Sequence, residues 1–229
     1  MASVDPGDRR VALVAGATGL VGRALLVKLL DDPRYERIEV LARRPLSGDL
    51  ARHERLTVHI GDATLLARAA VGVSDVFIAL GTTIKVAGSQ AAFRAVDHDL
   101  VVAIARAARE TGATRLAVVS ALGADAGSSF FYNRVKGEME TAVAALGYDS
   151  VVFARPSLLA GDRAALGQPT RSVEVWATRL LAPVMSLVPA RIRPIDASAV
   201  AAALIAALAA PTPGVRVLSS ADMQQSAAR

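Results

Sequence analysis

Residues 11–22 read VALVAGATGLVG and follow directly on Arg9 and Arg10. Two arginines ahead of about a dozen mostly apolar residues imitate the charged and hydrophobic parts of an export leader. The glycine spacing argues for a different reading. Gly16, Gly19 and Gly22 recur at every third position, and a leader's apolar segment has no reason to carry glycine at a fixed interval. Val11 to Ala15 is a continuous apolar run of the length expected for a strand buried on both faces. RALLVKLL after the glycines lacks Gly and Pro and suits a helix. Strand, glycine turn and helix together form the phosphate-binding opening of a dinucleotide domain. In that arrangement Gly16 permits the tight turn, Gly19 lets backbone approach a pyrophosphate, and Gly22 allows close helix-to-strand packing. The N–H groups of the turn and first helical residues, around Thr18, Leu20 and Val21, face the anion.

The rest of the chain alternates in the same manner. Strands are expected at 38–42, 56–60, 75–80, 115–120 and 150–154, with helices at 89–110 and 132–146. A further helix is expected within ASAVAAALIAALAA, residues 197–210. Strands alternating with helices imply an α/β fold with a doubly wound parallel sheet, ligands binding at the strands' carboxyl ends. The 229 residues, 53% of them hydrophobic, suffice for one such domain spanning 1–229, with a small substrate cap within 161–195. Residues 1–8 and 219–229 are expected to be mobile.

Composition restricts the function classes. The alanine-dominated run at 197–210 is too short for a bilayer, so no membrane partner is expected. Cysteine is absent, which leaves no thiolate nucleophile or disulfide framework. His53, His59 and His98 show no ligand spacing, and no metal is expected. The formal charge is +5, yet the arginines are scattered without a basic block, so no nucleic-acid partner is expected. Of 26 basic residues only Lys28, Lys85 and Lys136 are lysine. A lysine here marks chemistry that arginine does not perform.

Arg43 and Arg44 follow the second strand, where an acidic residue would bind the ribose 2′-hydroxyl of NAD. Guanidinium groups there favour a 2′-phosphate, so NADP is expected ahead of NAD, although two solvated arginines before Pro45 would read alike. Asp62, after the third strand, is placed beside the adenine or serves as a turn or cap. Further on, Tyr132 and Lys136 are four apart and share one helical face, and Ser120 ends the preceding strand. Hydride transfer to a carbonyl needs a proton donor for the developing alkoxide. A phenol beside an ammonium suits that task, with the serine hydroxyl holding the carbonyl oxygen.

GATGLVG, the serine twelve residues before YNRVK, and ARPSLLAGDR resemble the short-chain dehydrogenase/reductase superfamily. More narrowly, LGTTIKVAGSQAAFRAVDHDLV, SALGAD and FFYNRVKGEME resemble the Tat-interacting-protein-like branch of its atypical members. The likeness runs over roughly residues 10–210. It implies a Rossmann fold, NADP binding, and Ser120, Tyr132 and Lys136 in the catalytic positions. It also implies that Gly81, Thr82 and Thr83 lie against the cofactor and that Arg155, Pro156 and the following SLLAG line the nicotinamide pocket. Asp97 stands where these reductases commonly place an asparagine, which puts the usual proton relay in question. The cap, around Arg163, Arg171, Trp176 and Arg179, is short and suits a compact carbonyl substrate. Two functions follow as expectations: an NADP(H)-dependent reductase of a small carbonyl compound, or an NADP(H)-binding regulatory protein acting through a protein partner. With no export leader, a cytoplasmic location is expected.

Overall fold

Val11, Leu13 and Ala15 point to one face of the first strand and Ala12 and Val14 to the other, and all five are buried. A strand covered on both sides must lie inside a sheet with helices above and below it. The computed structural model describes residues 9–46, 48–61, 65–160 and 193–227. In chain order it runs β1 (Arg10–Ala15), α1 (Leu20–Asp31), β2 (Tyr35–Ala42), a 3-10 turn (Asp49–Arg52), β3 (Leu56–Ile60), α2 (Leu66–Ala69) and β4 (Asp75–Ile78). There follow α3 (Ile84–Ala87), α4 (Gln90–Arg94), a π-helical turn (Ala95–Leu100), α5 (Val101–Glu110), β5 (Arg115–Val119), α6 (Phe131–Ala144) and β6 (Ser150–Arg155). A short pair, β7 (Leu159–Ala160) and β8 (Ile195–Asp196), precedes α7 (Ala197–Ala209), β9 (Gly214–Ser219) and α8 (Ser220–Ala227).

The main sheet has seven strands in the order β3-β2-β1-β4-β5-β6-β9, all parallel. The order reverses between β1 and β4, which opens a crevice above their carboxyl ends. On one face, Leu25, Leu26 and Leu29 of α1 and Val200, Leu204 and Leu208 of α7 pack on Ala12, Val14 and Val40. The other face sets Ile104 and Ala108 of α5 and Met139 and Val143 of α6 on Leu13, Val76 and Ile78. The alanines of α7 are small enough to let it lie close along α1.

Three sequence expectations need correction. The helix expected over 89–110 starts as anticipated, with Ser89 Oγ accepting from Ala92 N at 3.0 Å, but is interrupted by the π turn. That wider turn carries Asp97 inward to 1% exposure. β4 stops at Ile78, short of Leu80. The tail expected to be mobile from 219 instead completes β9 and forms α8 over its described part. β9 is held by a six-residue register with β6, and Met223 of α8 is fully buried. Ser220 Oγ accepts from Ser157 N at 2.8 Å, tying the chain after β6 to this C-terminal helix. Residues 1–8 and nearly all of the expected cap, Trp176 included, lie outside the described residues.

Candidate functional site

The turn after β1 is shaped by what its glycines lack. Gly16 has φ +91°, and a Cβ there would lie 2.5 Å from the Ala79 carbonyl oxygen at the end of β4. A Cβ on Gly22 would stand 2.0 Å from the Gly16 carbonyl oxygen, so α1 reaches the turn only because residue 22 has no side chain. Gly19 differs from both. Its backbone is ordinary (φ −83°, ψ 171°), and the nearest atom to an added Cβ, the Gly16 oxygen, is 3.4 Å away. The space over Gly19 is therefore left open by the described residues. Gly19 is also the N-cap of a twelve-residue helix and supplies no side-chain cap, leaving the first N–H groups of α1, those of Leu20, Val21 and Gly22, for another acceptor. An uncapped helix start above a side-chain-free turn fits a pyrophosphate.

Arg43 and Arg44 follow β2, exposed and without an ion pair among the described residues. Asp62 lies outside the described residues. After β4, the Thr82 N–H donates to Asp97 Oδ2 at 2.8 Å, and Thr83 Oγ caps α3 by accepting from Val86 N at 3.2 Å. Gly81 to Thr83 are thus held beside the crevice by backbone anchoring.

Ser120 comes one residue beyond β5 and is 5% exposed. Its N–H donates to Ala154 O at 2.7 Å, while its Oγ has no hydrogen-bond partner among the described residues. A buried hydroxyl without a partner is uncommon and points to a group that completes it. The loop that follows is packed hard on α6. A Cβ on Gly137 would fall 2.1 Å from Ala126 N, and Asp125 N–H donates to Asn133 O at 3.1 Å. Tyr132 lies in the first turn of α6, its ring 5.4 Å from that of Phe93 between centroids. It is 38% exposed.

Lys136, one turn further on, is buried, and its Nζ stands 2.7 Å from Asp97 Oδ1. Ser120 follows the carboxyl end of β5, and Tyr132 and Lys136 occupy the first turns of the helix that comes after it, on the side of the sheet where β1 and β4 open into the cradle and the Gly81–Thr83 loop. Arg155 and Pro156, which the resemblance sets beside the nicotinamide, make bracing contacts of their own. The Arg155 guanidinium donates to both carboxylate oxygens of buried Glu140, at 3.0 and 2.5 Å, and this bonding keeps it all the more firmly protonated. The Pro156 carbonyl accepts from Leu122 N at 3.0 Å. Both tie β6 to the loop and helix that carry Ser120 and Tyr132.

Sequence reasoning missed three contributors: Glu140, Gly137 and the anchoring of Lys136 by Asp97. Gly137 left a trace, since glycine inside a helix is unfavourable by about 1 kcal/mol relative to alanine and asks for a packing reason.

Comparison with known proteins agrees with this geometry. Residues 16–166 match the family described as NAD(P)H-binding. The chain is 39% identical over 159 residues to "Protein fmp52, mitochondrial" of Emericella nidulans, covering 67% of this chain and 68% of that protein. It is 38% identical over 152 residues to "Protein FMP52, mitochondrial" of Eremothecium gossypii, covering 66% and 67%. Among solved structures, the Bordetella bronchiseptica enzyme WbmG in complex with NAD superposes with a TM-score of 0.68 at 20% identity, over 97% of this chain and 77% of that one. MoeE5 in complex with UDP-glucose and NAD gives 0.65 at 18%, over 91% and 75%. Those two likenesses concern the fold alone. The names of the relatives overturn the expected cytoplasmic location and point to mitochondria. The chain belongs to the NAD(P)H-binding family, together with the Fmp52 proteins it matches.

Proposed function

We propose that the protein is an NADP(H)-dependent reductase of a small carbonyl compound. The observation that carries this reading is the Ser120 hydroxyl, buried and unpartnered at the end of β5, in front of the helix bearing Tyr132 and Lys136. A hydroxyl in that state is suited to donate a hydrogen bond to a substrate oxygen. The Tyr132 phenol, at the open start of α6, gives that oxygen its proton. Lys136 supplies positive charge beneath the tyrosine on the same helical face and reaches toward the coenzyme ribose. A reduced nicotinamide, when bound, supplies the hydride. The preference for NADP over NAD rests on Arg43 and Arg44, both exposed and free of counter-ions among the described residues.

A binding protein that only senses the coenzyme has no use for a tyrosine proton donor on the helix that follows a strand-end hydroxyl unpartnered among the described residues, so turnover is favoured over a purely regulatory role acting through a protein partner. The test is NADPH oxidation, followed optically, against a panel of small aldehydes, ketones and quinones. Wild-type protein is expected to turn over at least one of them. Tyr132→Phe is expected to lower kcat by about 100-fold or more with the Kd for NADPH nearly unchanged. A Tyr132→Phe rate equal to wild type would remove the tyrosine from the mechanism. Tight NADPH binding with no turnover across the panel would favour the regulatory reading.

A further inference from the structure

A single apolar side chain in water is ordinary, but several at one place ask for a cause. Ten large hydrophobic side chains are exposed among the described residues, and five of them, Ile84, Val86, Leu122, Phe130 and Tyr132, fall within the two short segments 84–86 and 122–132. The other five are scattered over α1, β3, the loop before β4, and β9. Both segments follow the carboxyl ends of neighbouring strands, β4 and β5. Fully buried Phe93 of α4 links them, its ring 5.8 Å from Phe131 and 5.4 Å from Tyr132 between centroids, while α3 with Ile84 and Val86 packs on α4. None of these side chains serves the fold where it stands. α3 buries none of its four residues, and the loop after β5 turns Ala121 and Ala124 inward but Leu122 outward. Phe130 is 75% exposed and occupies the N-cap of α6 without capping it, a place where serine or aspartate would stabilise the helix. Burial and capping are thus both forgone two residues before Tyr132. Asp125 is the only charged residue over 121–132, and its Oδ1 already accepts the Gly127 N–H at 3.0 Å.

We propose that this apolar rim holds the hydrocarbon chain of the substrate, so that the carbonyl compound is a long-chain aliphatic aldehyde or ketone. The inference rests on the reductase reading, which puts the carbonyl oxygen at Ser120 and Tyr132, and it names the class of compound reduced there. With the reacting end so held, the rest of the molecule lies over Phe130 and Leu122 and toward α3. Apolar side chains contributed from three places suit an extended chain better than a compact polar body. Chain and rim leave water together, and each methylene covered adds to binding. Reduction by NADPH takes up one proton and leaves a long-chain alcohol and NADP⁺.

The test is a homologous series, butanal, hexanal, octanal and decanal, reduced by NADPH with wild type and with Val86→Ser/Phe130→Ser. Both positions are exposed and serine is a favoured N-cap, so the variant is expected to fold. Should it not, Leu122→Ser takes its place. For wild type, kcat/KM is expected to rise by about twofold or more per added methylene, carried by KM. In the variant the ratio of decanal to butanal kcat/KM is expected to fall by about tenfold or more. A flat series in wild type, or a ratio unmoved in the variant, would overturn the proposal and leave the rim to a partner protein or a membrane surface. Should no aldehyde be reduced, the reductase reading falls, and calorimetry with decan-1-ol decides this one separately. Binding by wild type that weakens by about tenfold in the variant would keep the chain site. No binding, or binding equal in the two proteins, would overturn it.

Discussion

At Gly19 and Gly22 the same missing methyl group has two meanings. At position 22 a Cβ would strike the Gly16 carbonyl at 2.0 Å, so that glycine is a packing requirement; at position 19 the nearest atom an added Cβ would meet among the described residues, beyond the chain neighbours, is 3.4 Å away. The three-residue spacing was legible in the sequence, as were the turn at Gly16 and the close packing at Gly22. The anchoring of Lys136 was not, because Asp97 comes from an element 39 positions earlier and no local pattern links the two. The two arginines after β2 carry their own prediction. Removing both, as Arg43→Ala/Arg44→Ala, is expected to weaken NADPH binding by about tenfold or more, equivalent to ~1.4 kcal/mol. NADH binding should stay within about twofold. Equal losses for the two coenzymes, measured by calorimetry, would contradict a 2′-phosphate contact.

Elements are joined by buried tyrosines at the end of the sheet remote from the cradle and along its helical layer. Tyr35 of β2 donates to Asp75 of β4 at 2.6 Å, and Arg115 of β5 pairs with that same carboxylate. Tyr148, before β6, donates to the Ala105 carbonyl of α5 at 2.6 Å. Burial pushes both phenols above the ordinary tyrosine range, reinforced at Tyr35 by the Asp75 charge and opposed at Tyr148 by Arg109. Folded-state values raised above the unfolded ~10 mean that the unfolded chain gives up these protons first. The stabilisation is then complete below a pH of about 10 and is lost as the pH rises further. The expected slope is about 1.4 kcal/mol per pH unit for each tyrosine. Urea midpoints measured from a pH of about 9 to 11 should fall steeply, and Tyr148→Phe should roughly halve the decline; a flat profile would contradict the burial of both rings.

The sequence marked every strand from β1 to β6 through its apolar runs. It did not mark the π turn, which carries Asp97 inward, nor β9, whose valines at 215 and 217 are exposed. What orders that last strand is a register with β6, a tertiary cause that no local propensity reports.

For the molecule as a whole, the parallel order around β1 and β4 gathers the loops with chemistry at one end of the sheet. The polar network of Arg10, Tyr35, Asp75 and Arg115 serves stability at the other. The fold was readable from glycine spacing and alternation and the family from resemblance of motifs such as GATGLVG and FFYNRVKGEME, whereas destination was not. The whole account depends on a bare backbone cradle accepting the coenzyme's diphosphate. It is tested most directly by calorimetric titration of NADPH into wild type and Gly19→Val, with thermal unfolding measured alongside. The wild type should bind, and Gly19→Val should give no binding heat while unfolding within a few degrees of wild type. Undiminished NADPH affinity in Gly19→Val, or no binding by the wild type, would contradict the account.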